Sequence, residues 1–439
     1  MKACSTNPTR AGKYFLRPVG EATRVDDGPC AANSLIAAGS GPAVFLGDHN
    51  TLAAFFCGGV RVRAADRVVD LGAPRRLDDA LLAHGRAALG AQTGEYALVA
   101  VGGGTVGDLA KLLAAERGGN FVLAATCASM NGWLSPNASI LRGGTKQSVA
   151  AVAPTRLVLD DAILDAAPPA LRAAGIADAL AGAWACRDWH LAHFADAAPF
   201  DSVVADAVLA SLDPLVAALR ANAAPTVAAS GAVRSALVDA LLAGGLAMRE
   251  AHTSSPASGA EHLVAHAVEL HEVATGAPAS FHGLAVGIGT LLVAALWEVI
   301  LASRALFPST PASSDLGSVS ARTDALSAWF PAIAPSAREV VAQKFARESE
   351  RPDPRGLLER SLLAGPGPGT VAAARADLIS AGAPVRANAL GLSAAFLKRA
   401  LLHGRDLRDR YTVFDLAYAL GVLPDRADDV VDRSGLCAS

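Results

Sequence analysis

The nonapeptide SGAEHLVAH, residues 258–266, sets His262 and His266 four residues apart, with Glu261 just ahead of the first. On a helix this spacing stacks two imidazoles on one face, where they can bind a metal, carry protons or simply sit in a core. The pattern differs from the H-E-x-x-H of zinc proteases, where the glutamate lies between the histidines and acts as base. Here the glutamate precedes the pair and position 263 is leucine. A second stretch, VAVGGGTVGDLAKLL, places Gly102, Gly104 and Gly107 in a G-x-G-x-x-G after an apolar run and before a helical one. Glycines let a backbone approach a pyrophosphate closely, and the helix N-terminus behind them offers unpaired N–H groups. The usual dinucleotide fingerprint also needs an acidic residue about 20 positions further on, for the ribose. Glu116 comes too early, and no Asp or Glu appears from 117 to 159. The loop therefore either holds a pyrophosphate in a different arrangement or is only a tight strand–helix turn. A third stretch, ATCASMNGWLSPNASI, gathers Thr126, Ser129, Asn131 and Ser135 just past another apolar run.

Two textures position these groups. Up to about residue 165, short apolar runs read as buried strands: AVFLG (43–47), YALVAVGGG (96–104), FVLAAT (121–126) and RLVLD (156–160). Helical segments such as GDLAKLLAAERGG separate them, and that alternation predicts a parallel sheet with ligands at the strand ends. From 166 to 439 the strand signal fades and Ala- and Leu-rich helical segments dominate, with loops expected at 306–320 and 364–370. The expected architecture is an α/β domain, 1–165, followed by an all-helical domain, 166–439, with the active site in the cleft between them.

Composition narrows the function. The chain has 439 residues, 52% hydrophobic and 18% charged, with formal net charge −3, which offers no electrostatic reason for a nucleic-acid or anionic-membrane partner. Six scattered cysteines, Cys4, Cys30, Cys57, Cys127, Cys186 and Cys437, form no C-x-x-C pair, so a reducing cytoplasm is the expected compartment. The first 28 residues lack the apolar core of a signal peptide. One stretch, residues 281–302, is long and apolar enough to imitate a membrane span. It contains His282, several glycines and Glu298, and is read as a loop entering a helix buried in protein, with no second candidate and no membrane span. The Ala-rich helical surfaces are compatible with a homodimer.

In order along the chain, GGGTVGD, TCASMNGWLSP, GIADALA, SSPASGAEHLVAH, FHGLAVGIGT and RDRYTVFDLAYALGVL resemble the glycerol-1-phosphate dehydrogenase family, particularly its bacterial branch. That family sits among the metal-dependent alcohol dehydrogenases and dehydroquinate synthase-like proteins, and the resemblance spans about residues 40–424. It implies a Rossmann-like domain binding NAD(P)H and an all-α domain holding one divalent metal ion (Zn, Ni or Fe). Carried over by position, the pyrophosphate loop falls on Gly102, Gly103, Gly104, Thr105 and Val106, with further dinucleotide contacts at Thr126, Ser129, Ser135 and Asp48. The implied metal ligands are Asp178, His262 and His282; Asp178 also faces substrate. His266 falls on a substrate-side position, and Lys146 on a basic position near the substrate end of the cofactor. The implied reaction is reduction of a small ketone, dihydroxyacetone phosphate to glycerol 1-phosphate. One carboxylate and two neutral imidazoles leave a divalent ion the positive charge and open positions of a Lewis acid. A histidine of near-neutral pKa one turn along, His266, suits a catalytic proton relay.

Three positions depart from the family pattern. Asn131 stands where the family has an aspartate contacting substrate, which exchanges a charge for an N–H donor. Ser255 stands in place of an arginine, which favours a non-phosphorylated carbonyl compound as the alternative substrate. Finally, His266 and His282 are 16 residues apart, the family's usual ligand spacing, so His266 is the alternative ligand to His262. A sugar-phosphate cyclase-like enzyme is a further alternative.

Overall fold

Alternation along each strand builds the sheet. Val44, Leu46, Leu98, Ala100, Leu123, Ala125, Leu157 and Leu159 point to one face, while Ala43, Phe45, Val99, Val101, Ala124 and Val158 point to the other. Both sets are buried, as expected of a parallel sheet covered on both sides. The computed structural model describes residues 24–28, 41–57, 60, 62–91, 94–143, 145–221, 231–307, 318–348, 353–363 and 369–438. Cys4, Cys30 and most of the expected loops 306–320 and 364–370 lie outside them. Cys57, Cys127, Cys186 and Cys437 are free thiols.

The strands are β1 (Arg24–Gly28), β2 (Ala43–Gly47), β3 (Arg67–Asp70), β4 (Ala97–Gly102), β5 (Phe121–Ala125), β6 (Asn137–Arg142), β7 (Thr145–Ala150) and β8 (Arg156–Asp160). Six form one parallel sheet in the order β1-β8-β5-β4-β2-β3, and β6 and β7 pair as an antiparallel hairpin. The four strands expected from sequence are β2, β4, β5 and β8. The sequence reading missed β1, β3 and the hairpin because RVVD and NASILR carry charged or polar residues inside runs too short to stand out. The chain leaves β2 and β4 towards opposite faces: helix His49–Cys57 packs with the second face, helix Gly104–Glu116 with the first. The crevice beyond their carboxyl ends is the switch point at which such sheets bind ligands. Asp48 and the glycine loop flank it.

From Pro169 onward the described residues form helices and connecting turns, and their core is continuous with the first sheet face through residues such as Leu109, Leu123, Leu263, Leu291 and Trp297. The helix His282–Ala302 is apolar all round and, as anticipated, lies inside the protein. The expectation of a single span-like segment undercounts, however. Ser202–Ala221 and Gly231–Glu250 are also long and apolar enough to cross a membrane, because their few charges are spread thinly among Leu, Val and Ala. Of the three, His282–Ala302 has the largest buried share.

Candidate functional site

Three helices converge behind the glycine loop. Pro169–Leu180 carries Asp178, Ala260–Thr275 carries Glu261, His262, His266 and Glu269, and His282–Ala302 begins at His282 itself. Their approach needs residues without side chains: a Cβ on Gly283 would overlap Ala174 O, and one on Gly289 would overlap Glu261 O. Gly175 meets the backbone of Ala128 in the same way, which presses the aspartate helix onto the Thr126–Ser135 loop.

Packed so, Asp178, His262 and His282 each bring one ligand-type atom to within 4.8 Å of the others. Asp178 is fully buried; its Oδ2 accepts the Asn131 backbone N–H at 2.9 Å, while Oδ1 has no hydrogen-bond partner. That oxygen lies 3.4 Å from His262 Nε2 and 3.9 Å from His282 Nε2. The opposite ring nitrogens are engaged: His262 Nδ1 donates to Glu261 Oε1 at 2.9 Å, and His282 Nδ1 to Glu269 Oε1 at 2.7 Å. Carboxylates that fix the tautomer and leave Nε2 facing inward are the usual support of metal-binding imidazoles. Burial works against a protonated His262, yet the Asp178 and Glu261 carboxylates lift its pKa to about 9. Burial likewise disfavours an ionised Asp178, yet the neighbouring His262, then His282 and the Asn131 N–H, still hold it below its ordinary value. The donor set and the orphaned Oδ1 therefore fit a divalent cation.

His266 lies apart from this cluster. Its ring stacks against His282 with centroids 6.1 Å apart, and its buried Nδ1 has no partner. The expected near-neutral pKa is corrected by the surroundings: burial, then the charge of Arg408, pushes it well below 6.5. Lys146 reaches from β7 to Glu269 Oε2 at 2.5 Å, so it braces the carboxylate behind His282. Burial opposes the ionised Glu269, but Lys146 and His282 hold it well below the usual carboxylate range. The side chain of Asn131 lies against Gly244, and its backbone N–H is the group that meets Asp178. Ser255 Oγ is 3.1 Å from Thr253 Oγ1, while Arg410 binds the same turn through Ser254 Oγ (2.7 Å) and Ser258 O.

In the sheet half, Gly102–Gly104 pass from β4 into the helix with almost no room above them. A Cβ on Gly102 would come 2.6 Å from Val106 Cβ, one on Gly103 2.8 Å from Cys127 Sγ, and one on Gly104 would overlap Met130 Sδ. Thr105 lies in the first turn of that helix and Val106 is buried beneath Gly102. Thr126 N donates to Gly102 O at 3.3 Å, and Ser129 lies beside Cys127, so these residues share one rim with the glycines. Two other expected dinucleotide contacts have local work. Asp48 Oδ1 accepts the N–H groups of Asn50 and Thr51, and Ser135 Oγ accepts from Asn137 N. The rim is pinned from below by buried Lys111, which donates to Asp108 Oδ1 (2.8 Å), Gly132 O (2.6 Å) and Asn137 O (3.1 Å).

Sequence reasoning passed over Glu269 and Asp188. Glu269 falls seven residues after His262, on the same helical face, a spacing that could have found it. Asp188 accepts backbone N–H groups from Ala260 (2.7 Å) and Val413 (2.9 Å), tying together the starts of two helices. Burial, then the Glu261 charge, pushes its pKa up to about 8.

Comparison with known proteins fits this geometry. Residues 46–168 match the family model "Iron-containing alcohol dehydrogenase". The glycerol-1-phosphate dehydrogenase [NAD(P)+] of Pyrococcus furiosus is 39% identical over 198 residues, 45% of this chain and 55% of that protein. This chain thus spans about half the length of that curated relative. The enzyme of the same name from Methanothermobacter thermautotrophicus is 31% identical over 252 residues, 55% of this chain and 68% of that protein. The fold is shared with the crystal structure of a probable glycerol dehydrogenase from Sinorhizobium meliloti 1021 (TM-score 0.58, 20% identity, 93% of this chain and 95% of that one). The chain belongs to the glycerol-1-phosphate dehydrogenase family, among the iron-containing alcohol dehydrogenases.

Proposed function

We propose that this chain is a metal-dependent NAD(P)H oxidoreductase that reduces dihydroxyacetone phosphate to glycerol 1-phosphate. The observation that carries the reading is the Asp178–His262–His282 cluster, with a buried carboxylate oxygen lacking a partner. In this reading those three residues hold the ion, Asp178 also faces substrate, and residues 1–165 and 166–439 form the two domains. A bound divalent ion would supply Lewis-acid polarisation of the carbonyl, and a reduced nicotinamide dinucleotide the hydride. Glu261 and Glu269 keep His262 and His282 in the tautomer that turns Nε2 inward. Asn131 positions Asp178 through its backbone N–H and, with Lys146, lines the substrate end. Gly102–Gly104, Thr105 and Val106 admit the pyrophosphate, with Thr126, Ser129, Ser135 and Asp48 around it. His266, held neutral by its surroundings, passes a proton to the new hydroxyl by accepting on one ring nitrogen as it donates from the other. The shared names of the relatives support this substrate.

A cytoplasmic location agrees with the free thiols, and a homodimer is the proposed assembly. The test is oxidation of NADH and of NADPH by metal-loaded protein with dihydroxyacetone phosphate. Turnover with that ketone supports the reading. Turnover only with other carbonyl compounds would move the chain to a different substrate, and failure to bind either metal or dinucleotide would remove the enzyme reading altogether.

A further inference from the structure

Beside the metal cluster lies a cavity lined by Lys146, His266, Leu270, Leu407 and Arg408, among others. Arg408 is partly buried, and among the described residues its guanidinium has no hydrogen bond or ion pair. Burial lowers its pKa, opposed only by the charge of Glu269. Glu269, however, is already engaged by Lys146 and by His282 Nδ1. Asp406, also at the cavity wall, is matched by Arg322 in a buried pair. The wall thus carries one cation more than its carboxylates answer. His266 adds a buried ring nitrogen without a partner.

The loop presenting Arg408 is held firmly. Lys344 Nζ donates to Arg405 O at 2.6 Å and to Arg410 O at 2.7 Å, gripping the loop on both sides of Arg408. A guanidinium fork on a braced loop is suited to an oxyanion, because little freedom is lost on contact.

Resting on the reductase reading above, we propose that Arg408 determines specificity by receiving a phosphate ester at the end of the ketone remote from the metal cluster. A carboxylate could satisfy Arg408 alone; a phosphate has oxygens for Arg408 and Lys146 together. Arg408 thereby answers the case against a phosphorylated substrate made by Ser255, since the cation comes from the C-terminal loop instead.

The test uses the metal-loaded full chain, with Arg408→Met and the milder Arg408→Lys. Inorganic phosphate binding, read by calorimetry, weakens about tenfold or more in Arg408→Met and less in Arg408→Lys, at unchanged metal content. The kcat/KM preference for dihydroxyacetone phosphate over dihydroxyacetone shrinks by about the same factor, chiefly through KM. Wild-type phosphate binding and preference in Arg408→Met, or no phosphate binding by the wild type, would overturn the proposal. A larger loss against a small keto acid than against the phosphate would overturn the choice of phosphate. If the wild type reduces no ketone, the reductase reading fails, while calorimetry still decides Arg408.

Discussion

The floor of the glycine loop and the histidine helix treat buried polar groups in opposite ways. Beneath the glycine loop, Asp108 and Lys111 are satisfied by each other and by Ser139 N, Gly132 O and Asn137 O. Around the histidine helix, Asp178 Oδ1, Glu261 Oε2 and His266 Nδ1 are buried without partners. A buried polar atom left unmatched costs about 1–3 kcal/mol, so a concentration of them marks a place built for something else to bind. The glycine loop works by backbone shape, which glycine permits and the Asp108–Lys111 bonds hold still. The helical half works by mismatched side chains, which a ligand completes.

That contrast can be broken at several points. The largest effect is expected from Asp178→Asn, which removes the only carboxylate of the cluster: metal binding should be abolished and turnover lost by about a thousandfold or more. Metal analysis with steady-state kinetics reads both. Next, Glu269→Gln should weaken metal affinity by about 10–100-fold, by loosening the support of His282 without removing a ligand. A metal titration with competing chelator measures it. In the sheet half the counterpart is Gly104→Ala, whose new methyl meets Met130 Sδ. Dinucleotide affinity should fall by about tenfold while metal content stays intact, and Met130→Ala should partly restore it, because the obstructing atom ends a flexible side chain. An equal effect of Gly104→Ala on metal would erase the distinction between the halves.

A separate effect, on stability rather than on binding, is a pH dependence at Asp188. Its carboxyl is raised to about 8 in the folded chain from 3.8. A raised acid binds its proton more tightly when folded, so its contribution is complete below pH 3.8 and is lost as pH climbs through about 8. Thermal unfolding of the wild type should therefore decline across that window more steeply than that of Asp188→Asn.

Much of this was legible from residue types, unevenly so. Apolar runs such as AVFLG and FVLAA mark central strands because both faces are buried, whereas RVVD at the sheet edge carries too little apolar character to stand out. SGAEHLVAH showed that His262 and His266 share a helical face, but not which of them meets Asp178. Close approach at Gly283 and Gly289 sets that register, a property of backbone overlap that no spacing rule contains. Glu269 and Asp188 were missed for a related reason. Their work is to hold other groups, Glu269 the imidazole of His282 and Asp188 two helix N-termini, so each becomes visible only when its partner is in place.

Asp178, His262 and His282 are the proposed ligands of the cation, with His266 outside the coordination set. Metal stoichiometry of purified His262→Ala and His266→Ala tests this assignment most directly. His262→Ala should lose the ion, and His266→Ala should keep one equivalent while losing rate. Retention of metal by His262→Ala together with its loss from His266→Ala would contradict it.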